Sequence, residues 1–367
     1  MSAPTLCIIH EGVGNQSAIA KVAFWGARHA LRAGWKVSVV ANVLDRSLQG
    51  DVEWLRLFVP PRIFLLKWLT ARHFIQAALG GRAFDVVHAH QPQASSLSDV
   101  FTCHFLTRAA HERNCLESRS GWRPALVRAQ QRAVLHAEDY FYRRWNQRTR
   151  MLFCSELLRE EFQRLYPMPE RCEVMENACP PMCVPSEPER QAARRRLLGR
   201  DWDGGPVLGY LGGLHERKGY RQLLRALEGQ RDILLAMGGE FTRGFHAPGL
   251  EGHHQTLGWV SDLPTFFAAC DVFIVPSAFD PCPLAVFEAA AHGVPVIATS
   301  GVGNLPTLLR YTAGAVWEMD TPLAPIVRAL AQQRDLFRTG ARRMAAELSE
   351  ESQATRLLHI YDECRRG

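Results

Sequence analysis

Short, nearly continuous apolar runs alternate along this chain with stretches whose apolar positions recur at helical spacing. The runs fall at 6–10, 36–41, 84–90, 98–104 and 151–155, then at 206–211, 233–237, 271–275 and 294–299. Their length, and the scarcity of polar positions within them, are those of strands covered on both faces. Helical periodicity fills 17–33, 107–150, 156–166, 190–200, 263–269, 284–292, 323–348 and 351–366. Strand and helix in strict alternation predict an α/β fold built on parallel sheets. A proline-rich stretch over 167–190 with little periodicity marks a linker between two such halves.

Residues 271–303, DVFIVPSAFDPCPLAVFEAAAHGVPVIATSGVG, concentrate the candidate chemistry. A buried strand ends at Pro276-Ser277, a polar loop carries Asp280, and a helix opens after Pro281, with Pro283 expected in its first turn. Gly293 and Pro295 stop that helix before the next strand. In parallel sheets, ligands bind outside the carboxyl ends of the strands. An acid held over a helix start can accept hydrogen bonds from sugar hydroxyls, and the free N–H groups of the first turn attract phosphate. Asp280 and Glu288 are the acids in this position. A solvated loop aspartate and an ordinary helix glutamate are the plainer reading of the same pair.

The D-x7-E spacing of Asp280 and Glu288, followed by a small-residue helix and Gly293-Val-Pro-Val-Ile297, resembles the retaining glycosyltransferases of family 4, or group 1. The resemblance implies a GT-B architecture, in which two Rossmann-like domains face a central cleft. The expected domains are 1–170 on the acceptor side, 171–350 on the nucleotide-sugar side, and a helix over 351–367 crossing back to the first. The family usually has Glu where this chain has Asp280, and Gly where it has Pro283. Lys218, in Gly212-Gly213-Leu214-His-Glu-Arg217-Lys218-Gly219, matches the lysine of the family's G-R-L-x-x-x-K-G motif, while the arginine of that motif is Gly213 here. Arg217 supplies a neighbouring positive charge, and a glycine turn with two cations suits a diphosphate.

Composition narrows the setting. A chain of 367 residues, 47% hydrophobic, is long enough for two full cores, and no run reaches the ~20 apolar residues of a membrane span. The first twenty residues lack a signal-peptide pattern, so the expected location is cytoplasmic. Ten cysteines without C-x-x-C pairing or zinc spacing are expected to be reduced thiols, with no metal. The net charge of +6 is uneven: residues 1–170 hold 22 Lys and Arg against 14 Asp and Glu. A basic first half suits an anionic partner. Segment 58–82 mixes apolar residues with Arg62, Lys67, Arg72 and Arg82, which fits a helix lying on a membrane surface or one packed on the sheet. Arg143, Arg144, Arg148 and Arg150 form a second basic group. Nucleic acid is not the expected partner, since no RNA-binding motif, zinc finger or helix-turn-helix is present.

In the first half, Gly12 and Gly14 lie in the loop after the first strand, where the resemblance implies contact with donor sugar and diphosphate. As a dinucleotide fingerprint this G-x-G is incomplete. His104 follows a strand end, and the family carries a histidine there beside the sugar; His88 and His90 are expected to be structural or to stand behind it. The resemblance further implies that Trp259 and Val260 meet the nucleotide base, and that Leu284 and Ala285 meet the donor beside Glu288. The expected catalytic group is thus His104, Asp280, Lys218 and Arg217. The donor-binding group is Gly12, Gly14, Gly213, Lys218, Trp259, Val260, Leu284, Ala285 and Glu288.

The function so implied is transfer of a sugar, with anomeric retention, from a nucleoside-diphosphate sugar to a hydroxyl of an anionic glycan or lipid-linked acceptor. The nucleotide sugar is a substrate, and no cofactor is expected. Polysaccharide or lipopolysaccharide synthesis at the inner face of the cytoplasmic membrane would suit the basic first half. Three alternatives are a nucleotide-sugar epimerase of the same fold, a non-catalytic glycan-binding relative, and a two-domain ligand-binding protein.

Overall fold

The computed structural model describes residues 2–57, 64–113, 124–144, 146, 148–199 and 202–366, which fall into two compact units. Among these, the first unit takes residues up to 112, 124–177 and 351–366, and the second takes 113 and 178–350.

The first unit opens with β1 (Thr5–Ile9), β2 (Gly12–Val13), α1 (Ala18–Arg32), β3 (Lys36–Ala41), β4 (Val43–Leu44) and β5 (Glu53–Arg56). Next come α2 (Phe64–Leu79), β6 (Val86–Ala89), β7 (Val100–Cys103), α3 (Thr107–Glu112) and α4 (Pro124–Arg143). It continues through β8 (Arg150–Phe153), α5 (Glu156–Leu165) and β9 (Cys172–Val174). Its seven-stranded sheet has the order β5-β3-β1-β6-β7-β8-β9, every pair parallel. The order reverses between β1 and β6. The unit extends past residue 170 to 177 because β9 adds to β8 through the register Met151–Cys172 to Phe153–Val174.

The second unit contains α6 (Glu187–Leu198), β10 (Val207–Leu211), α7 (Tyr220–Leu227), β11 (Leu234–Gly238), β12 (His254–Gly258) and α8 (Leu263–Ala269). There follow β13 (Val272–Val275), α9 (Leu284–Ala291), β14 (Val296–Ala298), α10 (Leu305–Arg310) and β15 (Gly314–Val316). Two helices, α11 (Leu323–Gln332) and α12 (Arg334–Glu347), complete it. Its sheet runs β12-β11-β10-β13-β14-β15, again all parallel, and reverses between β10 and β13.

Each unit has its own core. In the first, Leu6, Ile8, Val37, Val39, Val86 and Leu152 of the sheet meet Ala23, Ala27 and Ala30 of α1. Those alanines recur at i, i+4 and i+7, so α1 lays a narrow small-residue stripe on the strands. Ser17 caps that helix, accepting from Ala20 N at 3.2 Å. The last helix, α13 (Glu350–Arg366), places Leu357, Ile360 and Tyr361 in the same core. In the second unit, Leu208, Tyr210, Leu235, Met237, Val272 and Ile274 pack against Leu223 and Leu227 of α7 and Val327 and Leu330 of α11.

Among the described residues, the arginine-rich helical stretch expected over 107–150 contains α3 and α4 and stops at Arg143; residues 114–123 lie outside them. Part of segment 58–82 also lies outside them, Arg62 included. In its described part, Ala71 and Ile75 of α2 are buried and Arg72 bonds Ser96 Oγ. No described helix is long and apolar enough to cross a membrane.

Candidate functional site

The reversal of strand order between β10 and β13 makes the crevice where ligands bind in such sheets. The loop after β10 carries Arg217 and Lys218; the loop after β13 carries Asp280. Lys218 Nζ donates to Asp280 Oδ2 at 2.5 Å, and Arg217 Nη1 stands 3.9 Å from the same oxygen while donating to Phe279 O at 2.8 Å. Ala278 N also donates to Arg217 O at 2.9 Å, so the two loops are stitched together by main chain as well as by charge. Asp280 is buried, 8% exposed. A carboxylate that deep requires a paired cation, which Lys218 provides. Residues 62 positions apart, assigned from sequence to different parts of a donor, are thus direct partners.

A third loop supports Asp280 from the other side. Asp280 N donates to Gly301 O at 2.8 Å, and Gly303 N donates to Asp280 O at 3.0 Å. A Cβ on Gly301 would lie 2.3 Å from Ala278 O, so only glycine permits this approach.

Helix α9 starts directly after these loops. Pro283 occupies its N-cap position, with φ −64° and ψ 122°, rather than the first turn, and no side chain caps the helix. Val286 N donates to Pro283 O at 3.2 Å, and the N–H groups of Leu284 and Ala285 are left to water or a ligand. Leu284, Ala285 and Glu288 are half-buried while their neighbours Val286, Phe287, Ala289 and Ala290 are buried. Three residues expected to touch the donor thus share the open stripe of the helix, at i, i+1 and i+4.

Gly213, where the family has arginine, holds φ +65°, and a Cβ there would meet Glu240 O at 2.6 Å. No side chain fits. The N–H groups of Gly212 and Gly213 both point to Gly238 O, at 3.1 and 3.3 Å, and Leu214 N to Glu240 O at 3.1 Å. The expected glycine cradle therefore offers the cations of Arg217 and Lys218, with its own amides committed to β11 and the loop beyond. Trp259, just past β12, is 74% exposed, and Val260 packs where Gly238 lacks a side chain.

In the first unit, histidines collect at the corresponding reversal between β1 and β6. His10 follows β1, His88 lies in β6, His90 follows it, and His104 follows β7. His90 Nδ1 and His104 Nε2 share a hydrogen bond of 2.9 Å. His88 is held between Tyr361 Oη at 2.7 Å and Thr102 Oγ1 at 2.8 Å. Burial is the main force pushing these rings below the usual histidine value, to about 3 for His88 and His104. His90 is lowered as well, by burial first and then by its three neighbouring histidines. His10, Gln93, His90, His104, Glu138 and Tyr142 help line a cavity of about 210 Å³. Glu138 accepts from Thr107 N at 2.6 Å and Arg108 N at 2.9 Å, which ties α4 to the start of α3 just beyond His104. Burial raises its carboxyl pKa, and these bonds oppose the rise.

The glycine loop after β1 is tied inward. His10 Nδ1 donates to Gly12 O at 2.6 Å, Gly12–Val13 pairs with Val43–Leu44, and Gly14 N donates to Ala20 O at 3.1 Å. Of the basic group near α4, Arg143, Arg144 and Arg148 are exposed. Arg150 differs: it pairs with Glu363 and lies 3.7 Å from Glu173, so it belongs to the packing of α13. The sequence reading passed over Glu138 and the link between His90 and His104. The H-x-H spacing of His88 and His90, which puts both on one face of a strand, was a usable signal.

A family model described as glycosyl transferases group 1 matches residues 205–332, and one described as glycosyltransferase family 4 matches 26–181. Between them the two matches take in most of the chain, one glycosyltransferase model in each half. The chain is 30% identical over 207 residues to a glycogen synthase of Alkalilimnicola ehrlichii, covering 48% of this chain and 42% of that one. It is 28% identical over 238 residues to O-antigen chain mannosyltransferase B of Escherichia coli, covering 58% and 60%. It thus spans about half the length of the curated relatives it matches. In fold it is similar to Anabaena HepE in complex with UDP-glucose, with a TM-score of 0.71 at 16% identity over 98% of this chain and 99% of that one. That fold is GT-B.

Proposed function

We propose that the protein is a glycosyltransferase that moves a sugar from a nucleoside-diphosphate sugar to a hydroxyl of a glycan or lipid-linked acceptor, with anomeric retention and without a metal. The observation that carries the reading is the Lys218–Asp280 pair at the β10/β13 reversal, with Arg217 beside it and the uncapped start of α9 adjoining. In the reaction the bond from sugar C1 to the diphosphate oxygen breaks, and the diphosphate leaves with the electron pair. The acceptor oxygen bonds C1, and its proton passes to the departing phosphate. Charge therefore grows on phosphate, where fixed cations and helix N–H groups lower the barrier most. Lys218 and Arg217 supply that charge, the role a metal ion plays in other transferases. Asp280 holds Lys218 through Oδ2, which leaves Oδ1 for a sugar hydroxyl. Glu288, on the open stripe of α9, accepts from the ribose, and His104 orients the sugar or the acceptor.

An acceptor bearing phosphate or carboxylate suits the exposed Arg143, Arg144 and Arg148. Synthesis of a polysaccharide or lipopolysaccharide is the setting this suggests, in line with the O-antigen relative. Peripheral contact with the cytoplasmic membrane belongs to the same proposal, and sedimentation with anionic vesicles at low and high salt tests it.

The core of the reading is tested by thermal shift with UDP, GDP and ADP. One nucleotide at 100 times its Kd should add about 2.7 kcal/mol to folded-state stability, and Lys218→Ala should abolish the gain. No shift with any of the three at millimolar concentration removes the proposal. Full transfer in excess EDTA is expected; loss restored by a divalent ion would refute the metal-free part.

A further inference from the structure

The histidine group of the first unit contains an atom that the proposed reaction leaves unexplained. His90 is 5% exposed, and its Nε2 is buried without a hydrogen-bond partner. Its ring lies among the other histidines of the group. His90 N donates to Ile9 O at 3.0 Å, the His88 ring lies 4.2 Å away, and the His10 ring stands edge-on at 6.4 Å. The His104 ring is tilted only 21° from it, so the Nδ1–Nε2 hydrogen bond runs nearly in the plane of both. Both imidazoles are neutral at ordinary pH, so each carries a single N–H.

The buried Nε2 decides which nitrogen carries it. A proton there would leave an N–H with no acceptor, which is rarer and costlier in a protein interior than an unfilled lone pair. The proton of His90 therefore sits on Nδ1 and is donated to His104 Nε2. His104 must then carry its own proton on Nδ1, the opposite of the Nε2–H form that free histidine favours. Through that nitrogen it presents a hydrogen-bond donor.

We propose that His90 is a positioning residue that holds His104 in the Nδ1–H tautomer, so that His104 donates to an oxygen of the sugar or the acceptor. The functional half of this statement rests on the transferase reading; the tautomer itself does not. Glu138 anchors the start of α3, three residues beyond His104, through its bonds to Thr107 N and Arg108 N.

The test combines 15N-histidine NMR of the full chain with kinetics on wild type, His90→Phe and His90→Asn. Phenylalanine keeps a flat ring and removes the donor. Asparagine places an amide N–H close to where Nδ1 stands. In wild type the His104 resonances should report Nδ1–H; in His90→Phe they should revert towards Nε2–H, and in His90→Asn return to Nδ1–H. In the transfer assay His90→Phe should lower kcat about 10- to 100-fold with the nucleotide-sugar KM within about twofold, and His90→Asn should recover most of the loss. An Nε2–H wild-type His104, an unchanged tautomer in a folded His90→Phe, or equal kcat losses in both variants overturns the proposal. A wild type with the Nδ1–H tautomer but no transfer would instead count against the enzymatic reading alone.

Discussion

Single side chains carry the sharpest consequences. Lys218 is the only cation within hydrogen-bonding distance of Asp280 Oδ2 among the described residues, so its loss leaves that buried carboxylate with Arg217 at 3.9 Å and, in the proposed reaction, removes a charge from beside the leaving phosphate. Lys218→Ala is expected to lower kcat/KM at least about 100-fold, or about 2.7 kcal/mol of transition-state stabilisation. Steady-state kinetics at saturating acceptor would show it. Gly213 makes a prediction of the opposite kind. Restoring the family's arginine there forces a side chain onto a φ of +65° and against Glu240 O, so Gly213→Arg should cost about 1–3 kcal/mol and lower Tm. A variant with unchanged Tm and higher activity would show that the loop rearranges to admit the arginine. The histidines set a pH dependence. Folded His88 and His104 take up a proton only near pH 3, whereas the unfolded chain does so near 6.5. The unfolded state binds more protons in between, so stability is full above pH 6.5 and declines as pH falls, by up to about 1.4 kcal/mol per pH unit for each imidazole. Urea midpoints at pH 7 and pH 5 measure this, and equal midpoints would contradict it.

At the scale of elements, sequence reading was most reliable where one local rule decided the outcome. Helical periodicity over 17–33 gave α1, and the apolar run over 271–275 gave β13. It was weaker at Pro283, because proline is tolerated both at the N-cap and in the first turn, and the difference is one of ψ alone. It also could not tell that the glycine loops after β1 and β10 turn their amides inward, since that depends on which carbonyl lies opposite. Helix α13 is an element whose contribution is measurable. Ile360 is 2% exposed within the first unit's core, so Ile360→Ala should destabilise that unit by about 2–5 kcal/mol in urea unfolding. A cost below 1 kcal/mol would mean that the helix is not needed to complete the core.

For the whole molecule, two cores on two independent sheets predict two unfolding events. Calorimetry should resolve two transitions, and the nucleotide that binds should raise only the one that Ile360→Ala leaves unmoved. A nucleotide that raised the transition lowered by Ile360→Ala would place the diphosphate in the first unit and contradict the role given to Lys218.

By itself the sequence determined the α/β class, the two halves, the resemblance to a glycosyltransferase family and the identity of the charged residues, because hydrophobic period and short motif spacing are local properties of the chain. What only the tertiary structure decided was who meets whom. Lys218 and Asp280 lie 62 residues apart, and His90 and His104 fourteen; the reversal between β10 and β13 brings the first pair together, and the pairing of β6 with β7 the second. Hydrogen-bond partnership and burial are set by that order, since neighbours in a parallel sheet are separated in sequence by at least one whole crossover.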